Sequence, residues 1–232
     1  MNAPMYMTPE QVRIEQASFI SKVYGWMSFA LALTGLTAVL IAKTPALTQF
    51  FLGNKILFYG LILGQLGLVA WLSLAIQKMS ATMATSVFLG YSVLNGITMA
   101  SIFVIYTASS IASTFFITAG TFAAMSVYGY TTKRDLTSMG NLLMMGLIGV
   151  IIASIVNIFM QSSMLYWITT YAGVLIFVGL IAYDTQKIKE MNIIGNEGTD
   201  EDRKEAILGA LSLYLDFINL FLYFLRIFGN RN

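Results

Sequence analysis

Long uncharged stretches constrain this chain more than any other feature of its sequence. The 54 residues between Lys78 and Lys133 carry no charged side chain, and residues 136–183 form a second such stretch of 48. A helix crosses the hydrocarbon core of a bilayer with about 20 apolar residues, so each stretch is long enough for two crossings. Only 10% of all residues are charged, far below the share of about a quarter in soluble domains. The sequence therefore predicts a polytopic membrane protein.

The apolar stretches add up to seven transmembrane helices. Two spans precede the first long stretch, each long stretch holds two, and one follows the charged segment 187–205. The predicted spans cover residues 23–42, 56–77, 84–106, 111–131, two helices within 136–183 that turn at 161–164, and 206–228. Alternating ten-residue segments, which are typical of membrane β-barrels, are not seen. We therefore predict an all-α fold.

The spans divide the chain into a transmembrane domain, 23–228, and two tails. Residues 1–22 are polar and mixed in charge, and no cleavable signal peptide is evident in them. We interpret them as a cytoplasmic tail that forms either an interfacial helix or a disordered segment. Residues 229–232 form the C-terminal tail.

The basic residues predict a cytoplasmic N-terminus. With that orientation, nine Lys and Arg residues lie on the cytoplasmic side of the membrane, which satisfies the positive-inside rule. The other side holds four: Lys43, Lys55, Arg226 and Arg231. The two arginines near the C-terminus fit less well, so a last segment that re-enters the membrane without crossing it stays an alternative.

Composition excludes several classes of function. The chain has no Cys and no His, which removes disulfides, thiol catalysis, the usual general base and the commonest metal ligand. The net charge of +2 is small and the basic residues are scattered, so no nucleic-acid partner is expected. Any pH response near neutrality must come mainly from carboxyl groups.

Two aspartates interrupt apolar segments. Asp216 is the only charged residue within 206–225, and Asp184 ends the apolar run before the loop 187–205. An ionised Asp at the centre of a membrane helix costs about 2.5–3.5 kcal/mol on insertion scales, so such residues generally have a function.

Asp216 belongs to a polar seam on the last span. On a helical wheel with 100° per residue, Ser212, Asp216, Asn219 and Tyr223 fall within about 80° of one another. Lipid cannot satisfy these groups, so the seam must face the bundle interior or a water-filled cavity. We therefore predict that six helices surround the seventh.

The two aspartates are predicted to act as a pair. A short loop joins their helices, and both residues fall in the cytoplasmic half of the membrane. Two carboxyl groups held close together cannot easily both ionise, so they would share one proton. The protonated pair would form a hydrogen bond that holds the two helices together. The two carboxylates of the deprotonated pair would repel each other and admit a cation. Alternatively, Asp184 lies at the membrane interface, and Asp216 is a structural anchor bonded to Asn95 or Asn157.

Three segments resemble a known family. They are GYTTKRDL at 129–136, AYDTQKIK at 182–189 and LSLYLDFINLFLYFLRIFG at 211–229. The chain resembles the Bax inhibitor-1/YccA (TMBIM) family from residue 23 to its C-terminus, and the bacterial inner-membrane members in particular. The resemblance implies six helices around a seventh and a pH-sensitive calcium leak. It also implies that the aspartate pair controlling the leak matches Asp184 and Asp216.

The resemblance implies calcium as the transported ion and no resident cofactor. Asp184 and Asp216 are the candidate ligands of low-affinity calcium, because two carboxylates are too few for a tight site. Backbone carbonyls, Asn219 and water would complete the coordination. Some family members carry a basic residue near the cytoplasmic end of the second helix that pairs with the sixth-helix aspartate. Here no arginine occupies that place, and Lys78 is the candidate counter-ion.

Two alternative functions, an intramembrane protease and an interaction protein, belong to classes other than a channel. Intramembrane aspartyl proteases also use two aspartates on adjacent helices, but they need a Gly-x-Gly-Asp motif, and Leu213, Tyr214 and Leu215 precede Asp216 here. We therefore predict that the protein is not an enzyme. The second rival is an interaction protein that modulates a membrane protease or a stress response, with structural carboxylates. Replacing an aspartate by Asn discriminates a channel from such a protein.

Overall fold

The computed structural model describes residues 8–191 and 193–232, so the first seven residues of the predicted tail lie outside the described part. Within that part the chain forms eight α-helices and no strand, and seven helices are long and apolar enough to cross a membrane. The helices are α1 (Pro9–Lys43), α2 (Pro45–Leu52), α3 (Lys55–Ala75), α4 (Ala81–Ile105), α5 (Ala108–Thr131), α6 (Thr137–Met160), α7 (Ser163–Met191) and α8 (Asp200–Phe228). The predicted all-α fold with seven spans is confirmed.

Polar side chains set the ends of the spans where the uncharged sequence supplies no charge. The Thr107 hydroxyl accepts the Ser110 N–H and begins α5 two residues after α4 ends. The turn between α6 and α7 uses Gln161 in the left-handed region, with φ of 50°, and Asn157 accepts the Ser162 N–H. At α8, Thr199 accepts the Asp202 N–H. Each cap satisfies a backbone donor that the helix itself leaves free.

The last helix lies at the centre of the bundle. α8 is the most buried of the seven spans, and it packs against α1, α4, α5 and α7. The other two spans lie further out: α3 packs on α4, and α6 packs on α7. α3 buries only Leu72, and α6 buries only Gly140 and Val150. The six spans therefore surround the seventh in two layers.

α8 runs the full length of the bundle. Its 29 residues span about 44 Å at 1.5 Å per residue. Its start follows the α7–α8 loop, and we call that end of the bundle the loop end. At the other end, the tail end, residues after α8 pair with the α4–α5 turn: Thr107 donates its N–H to Asn230, and Asn232 donates to Ile105. The helix therefore crosses the bundle and does not re-enter.

The first span begins earlier than predicted, because α1 is helical from Pro9. Its N-terminal part packs on the α7–α8 loop. Glu15 accepts the Gly195 N–H, Ser18 donates to Glu197, and Lys22 forms an ion pair with Asp202. Residues 9–22 thus continue the first span as one helix, while the assignment of 1–22 as a cytoplasmic tail stays a prediction.

A polar network fixes α8 against α1 and α4. The Tyr214 hydroxyl lies 2.7 Å from the Thr34 hydroxyl and accepts a hydrogen bond of 2.7 Å from the Asn95 amide. Tyr214 is fully buried, and the rings of Phe88 and Tyr91 pack edge-on against it. Buried polar groups with all partners in place specify one register between packed helices. The network therefore fixes the rotation of α8, which determines where its other polar side chains point.

Candidate functional site

Asp184 is buried at the loop-end half of the interface between α7 and α8. It is 8% exposed, and the Ser212 hydroxyl donates a hydrogen bond of 2.6 Å to its Oδ2. A side chain that extends to the membrane interface would be exposed and free of protein partners. Asp184 therefore faces the interior of the bundle.

Asp216 lies beside Asp184 and is 5% exposed. The two carboxyl groups lie close enough to interact directly with each other. Within the described residues, no N–H or O–H group donates to Oδ2 of Asp216. Carboxylate oxygens only accept hydrogen bonds, so a contact between two carboxyl groups is attractive only when one of them carries a proton. The geometry favours one proton for two carboxyl groups.

A cavity of about 270 Å³ opens on Asp184. Asp184, Lys187, Ser212 and Ser73 supply its polar lining, and side chains of α7 and α8 supply the apolar remainder. Lys187 is exposed and bears electrostatically on Asp184 from one turn further along α7. The cavity thus leads from the loop end of the bundle to the first of the two carboxyl groups.

Two glycines hold α7 in place next to Asp184. A Cβ at Gly129 of α5 would lie 2.2 Å from the backbone oxygen of Ala182, and one at Gly140 of α6 would lie 2.4 Å from the Tyr183 ring. Only glycine permits such close approach of two helices. These contacts fix the position of the helical turn that carries Asp184.

The rest of the predicted seam also lies along α7, with one exception. The Tyr223 ring packs directly on Gly173, where a Cβ would lie 2.4 Å from it, and its centroid is 5.9 Å from that of Phe177. Asn219 instead donates 2.8 Å to the Leu215 carbonyl of its own helix. Between Asp216 and the tail end, the rings of Tyr223 and Phe177 therefore pack in the α7–α8 interface.

Lys78, the predicted counter-ion, is not brought to the pair. Its side chain is exposed, and among the described residues no ion pair joins it to either aspartate. The cation in the cavity is Lys187, so the role of Lys78 stays a prediction.

The two amides named as alternative anchors for Asp216 form hydrogen bonds with other residues. Asn95 donates to Tyr214, and Asn157 caps the α6–α7 turn.

The site has few groups that could hold a metal ion tightly. In residues 8–191 and 193–232, no cluster of three or more His, Cys, Asp or Glu side chains is placed to hold one. Calcium takes six to eight oxygen ligands. Two carboxyl groups and one hydroxyl, from Asp184, Asp216 and Ser212, are therefore too few to hold calcium tightly.

Comparison with known proteins decides the family. The family described as "Inhibitor of apoptosis-promoting Bax1" matches residues 16–232, which include the whole of the candidate site. The chain belongs to the Bax inhibitor-1 family. It is 54% identical over 222 residues to "Inner membrane protein YbhL" of Escherichia coli K12, with 95% of each chain covered. This confirms the resemblance predicted from the three sequence motifs.

Other relatives match this chain over similar lengths. An uncharacterized protein of Borreliella burgdorferi is 48% identical over 213 residues, with 92% of each chain covered. An uncharacterized membrane protein of Streptococcus pyogenes serotype M1 is 36% identical over 234 residues, with both chains covered completely. The similarity therefore extends over the full set of spans and not over the last helices alone.

Sequence reasoning missed Lys187, Gly129, Gly140 and Tyr214 as parts of the site and its support. Lys187 lies one turn after Asp184, which places both on one helix face, and that spacing was the available signal. Gly129 stands in the GYTTKRDL motif, but a glycine in an apolar run shows no sign of what it packs against. Tyr214 is a polar group in the middle of a span, which is itself a signal that it has a buried partner.

Proposed function

We propose that this Bax inhibitor-1 family member is a pH-sensitive calcium leak channel, and not an enzyme. Its gate is the carboxyl pair of Asp184 and Asp216, on the sixth and seventh spans, α7 and α8. The observation that supports the proposal is that two buried carboxyl groups interact with each other beside a cavity that Asp184 lines. A purely structural carboxyl group does not need a second one as its neighbour.

In the closed state one proton lies between the two carboxyl groups. The resulting hydrogen bond ties α7 to α8, and the Ser212 hydroxyl donates to Oδ2 of Asp184. Loss of the proton leaves two negative charges in contact inside a medium of low dielectric, where they repel strongly. The helices must then separate, or the pair must take up a cation.

Calcium is the cargo that suits the deprotonated pair. A divalent cation neutralises both carboxylates at once. Ligands beyond the two carboxylates must come from Ser212, from backbone carbonyls and from water, so binding is weak. Weak binding suits conduction, because an ion must leave a site as readily as it enters.

We place the protein in the bacterial inner membrane with its N-terminus in the cytoplasm. The name of the relative "Inner membrane protein YbhL" supports the compartment, and the excess of basic residues at the loop end supports the orientation. In this orientation the aspartate cavity faces the cytoplasm, so cytoplasmic pH controls the gate.

The proposal predicts calcium flux that rises with pH. Purified protein in liposomes filled with a calcium-sensitive dye is expected to pass calcium roughly tenfold faster at pH 8 than at pH 6, because a higher pH favours the deprotonated, open pair. Empty liposomes give the background at each pH. Flux equal to that background at both pH values would contradict the channel and favour a protein that modulates a membrane protease.

A further inference from the structure

A second cavity, of about 470 Å³, lies at the tail end between α6, α7 and α8. It is at the opposite end of α8 from the aspartate cavity, and the proposed gate makes no use of it. Its polar lining comes from three helices: Ser154 and Asn157, Tyr166 and Thr169, and Tyr223 and Arg226. A cavity with a cation and several hydroxyl and amide groups is suited to an oxyanion.

Arg226 is held in place by aromatic rings and not by an acid. Its guanidinium lies 5.1 Å from the centre of the Tyr223 ring and 5.7 Å from that of the Tyr166 ring. Within the described part of the chain, no carboxylate forms an ion pair with it. Contact with ring faces leaves the guanidinium N–H groups free to donate. Arg226 is therefore an oriented donor that lacks an anion.

The tail end carries basic side chains and, among the described residues, no acidic ones. Lys43, Lys55, Arg226 and Arg231 lie there, whereas all 11 Asp and Glu residues belong to the loop end or to the buried pair. A positive face without side-chain counter-charges attracts an external anion.

The cavity wall that α6 supplies is apolar and open to the side of the bundle. Ile151, Ile155 and Ile158 line it, and they are 49%, 52% and 70% exposed. Exposed aliphatic side chains on a membrane span contact acyl chains. A ligand that fits both the polar lining and this apolar wall has a phosphate at one end and a hydrocarbon chain at the other.

We propose that this cavity binds the headgroup phosphate of an anionic phospholipid. The guanidinium of Arg226 donates to the phosphate oxygens, which it can do with two N–H groups at once. The amide nitrogen of Asn157 is a further donor, since its oxygen is already used by the Ser162 N–H. The acyl chain lies along the isoleucines of α6. Such a lipid joins α6 and α7 to the end of α8, and the site stands independently of the calcium gate.

The test measures how a lipid changes the thermal unfolding of the full chain purified in neutral detergent. Dioleoyl phosphatidylglycerol is expected to raise the unfolding midpoint by several degrees more than dioleoyl phosphatidylcholine, because binding to the folded state alone stabilises it. Arg226→Gln is expected to remove most of this difference. Arg231→Gln removes one positive charge from the same end and is expected to retain it.

Two further arms distinguish a lipid seated in the cavity from a lipid attracted by charge alone and from a free phosphate. Ser154→Leu places a larger apolar side chain in the cavity without changing any charge, and it is expected to abolish the difference. This variant keeps the test decisive if Arg226→Gln does not fold. Glycerol 3-phosphate alone, at the same concentration, is expected to leave the midpoint unchanged. Equal losses in the two arginine variants, or full stabilisation by glycerol 3-phosphate, would overturn the proposal.

Discussion

Replacing Asp216 by Asn is expected to abolish the pH dependence of calcium flux. The Asn amide donates to the carboxylate of Asp184 at every pH, so the contact between α7 and α8 no longer depends on a titrating proton. Flux at pH 8 should then fall to the level that the unaltered protein shows at pH 6, a loss of roughly tenfold. Dye-loaded liposomes, with flux normalised to the amount of reconstituted protein, give the measurement.

A matched control removes a carboxylate from the loop end outside the spans. Asp135 is fully exposed, and hydrogen bonds from Thr137 hold the pKa of its carboxyl below the usual value. It is therefore ionised at both pH 6 and pH 8 and contributes nothing to a change between them. Asp135→Asn is expected to keep the full pH dependence. If Asp216→Asn also keeps it, the gate is located elsewhere.

Replacing Gly129 by Ala is expected to destabilise the bundle next to the gate. The new Cβ would lie 2.2 Å from the Ala182 oxygen and 2.9 Å from its Cα, and backbone atoms cannot move aside as a flexible side chain can. Overpacking of this kind costs about 1–3 kcal/mol. For a chain of this size each kcal/mol lowers the midpoint by about 2–4 °C. The thermal midpoint in detergent should therefore drop by about 2–12 °C.

Gly60→Ala is the control for that experiment. Gly60 lies in α3, and a Cβ there would meet no atom within 4 Å. Both substitutions raise helix propensity by the same amount, so only the packing differs between them. We expect Gly60→Ala to be as stable as the unaltered protein or slightly more stable. Equal midpoints for the two variants would show that the close approach of α5 to α7 is not needed.

The architecture could be predicted because the bilayer allows few solutions. Uncharged stretches of 54 and 48 residues had to form two spans each, and the structure turns at Thr107 and Gln161, where the neutral hairpins were expected. The seam on the last span likewise had to find polar neighbours. Ser212, Asp216 and Tyr223 face α7, since lipid offers no hydrogen bonds.

What the sequence did not predict depends on contacts between distant residues or on short elements. α2 has only eight residues, too few for a periodic pattern, although Pro45 at its first position was a signal. Gly60 and Gly129 look alike in sequence, yet one faces open space and the other a neighbouring backbone. The early start of α1 did have a local signal. Thr8 and Gln11 form a capping box around Pro9.

Opening of the proposed channel follows the loss of one proton from the Asp184–Asp216 pair. Difference infrared spectroscopy on the reconstituted protein detects the carbonyl absorption of protonated carboxyl groups while the same liposomes report calcium flux. We expect this absorption to fall and the flux to rise along one shared curve between pH 6 and pH 8, and Asp216→Asn to remove both changes. Flux that rises while the carboxyl absorption stays constant would contradict the proton-controlled gate.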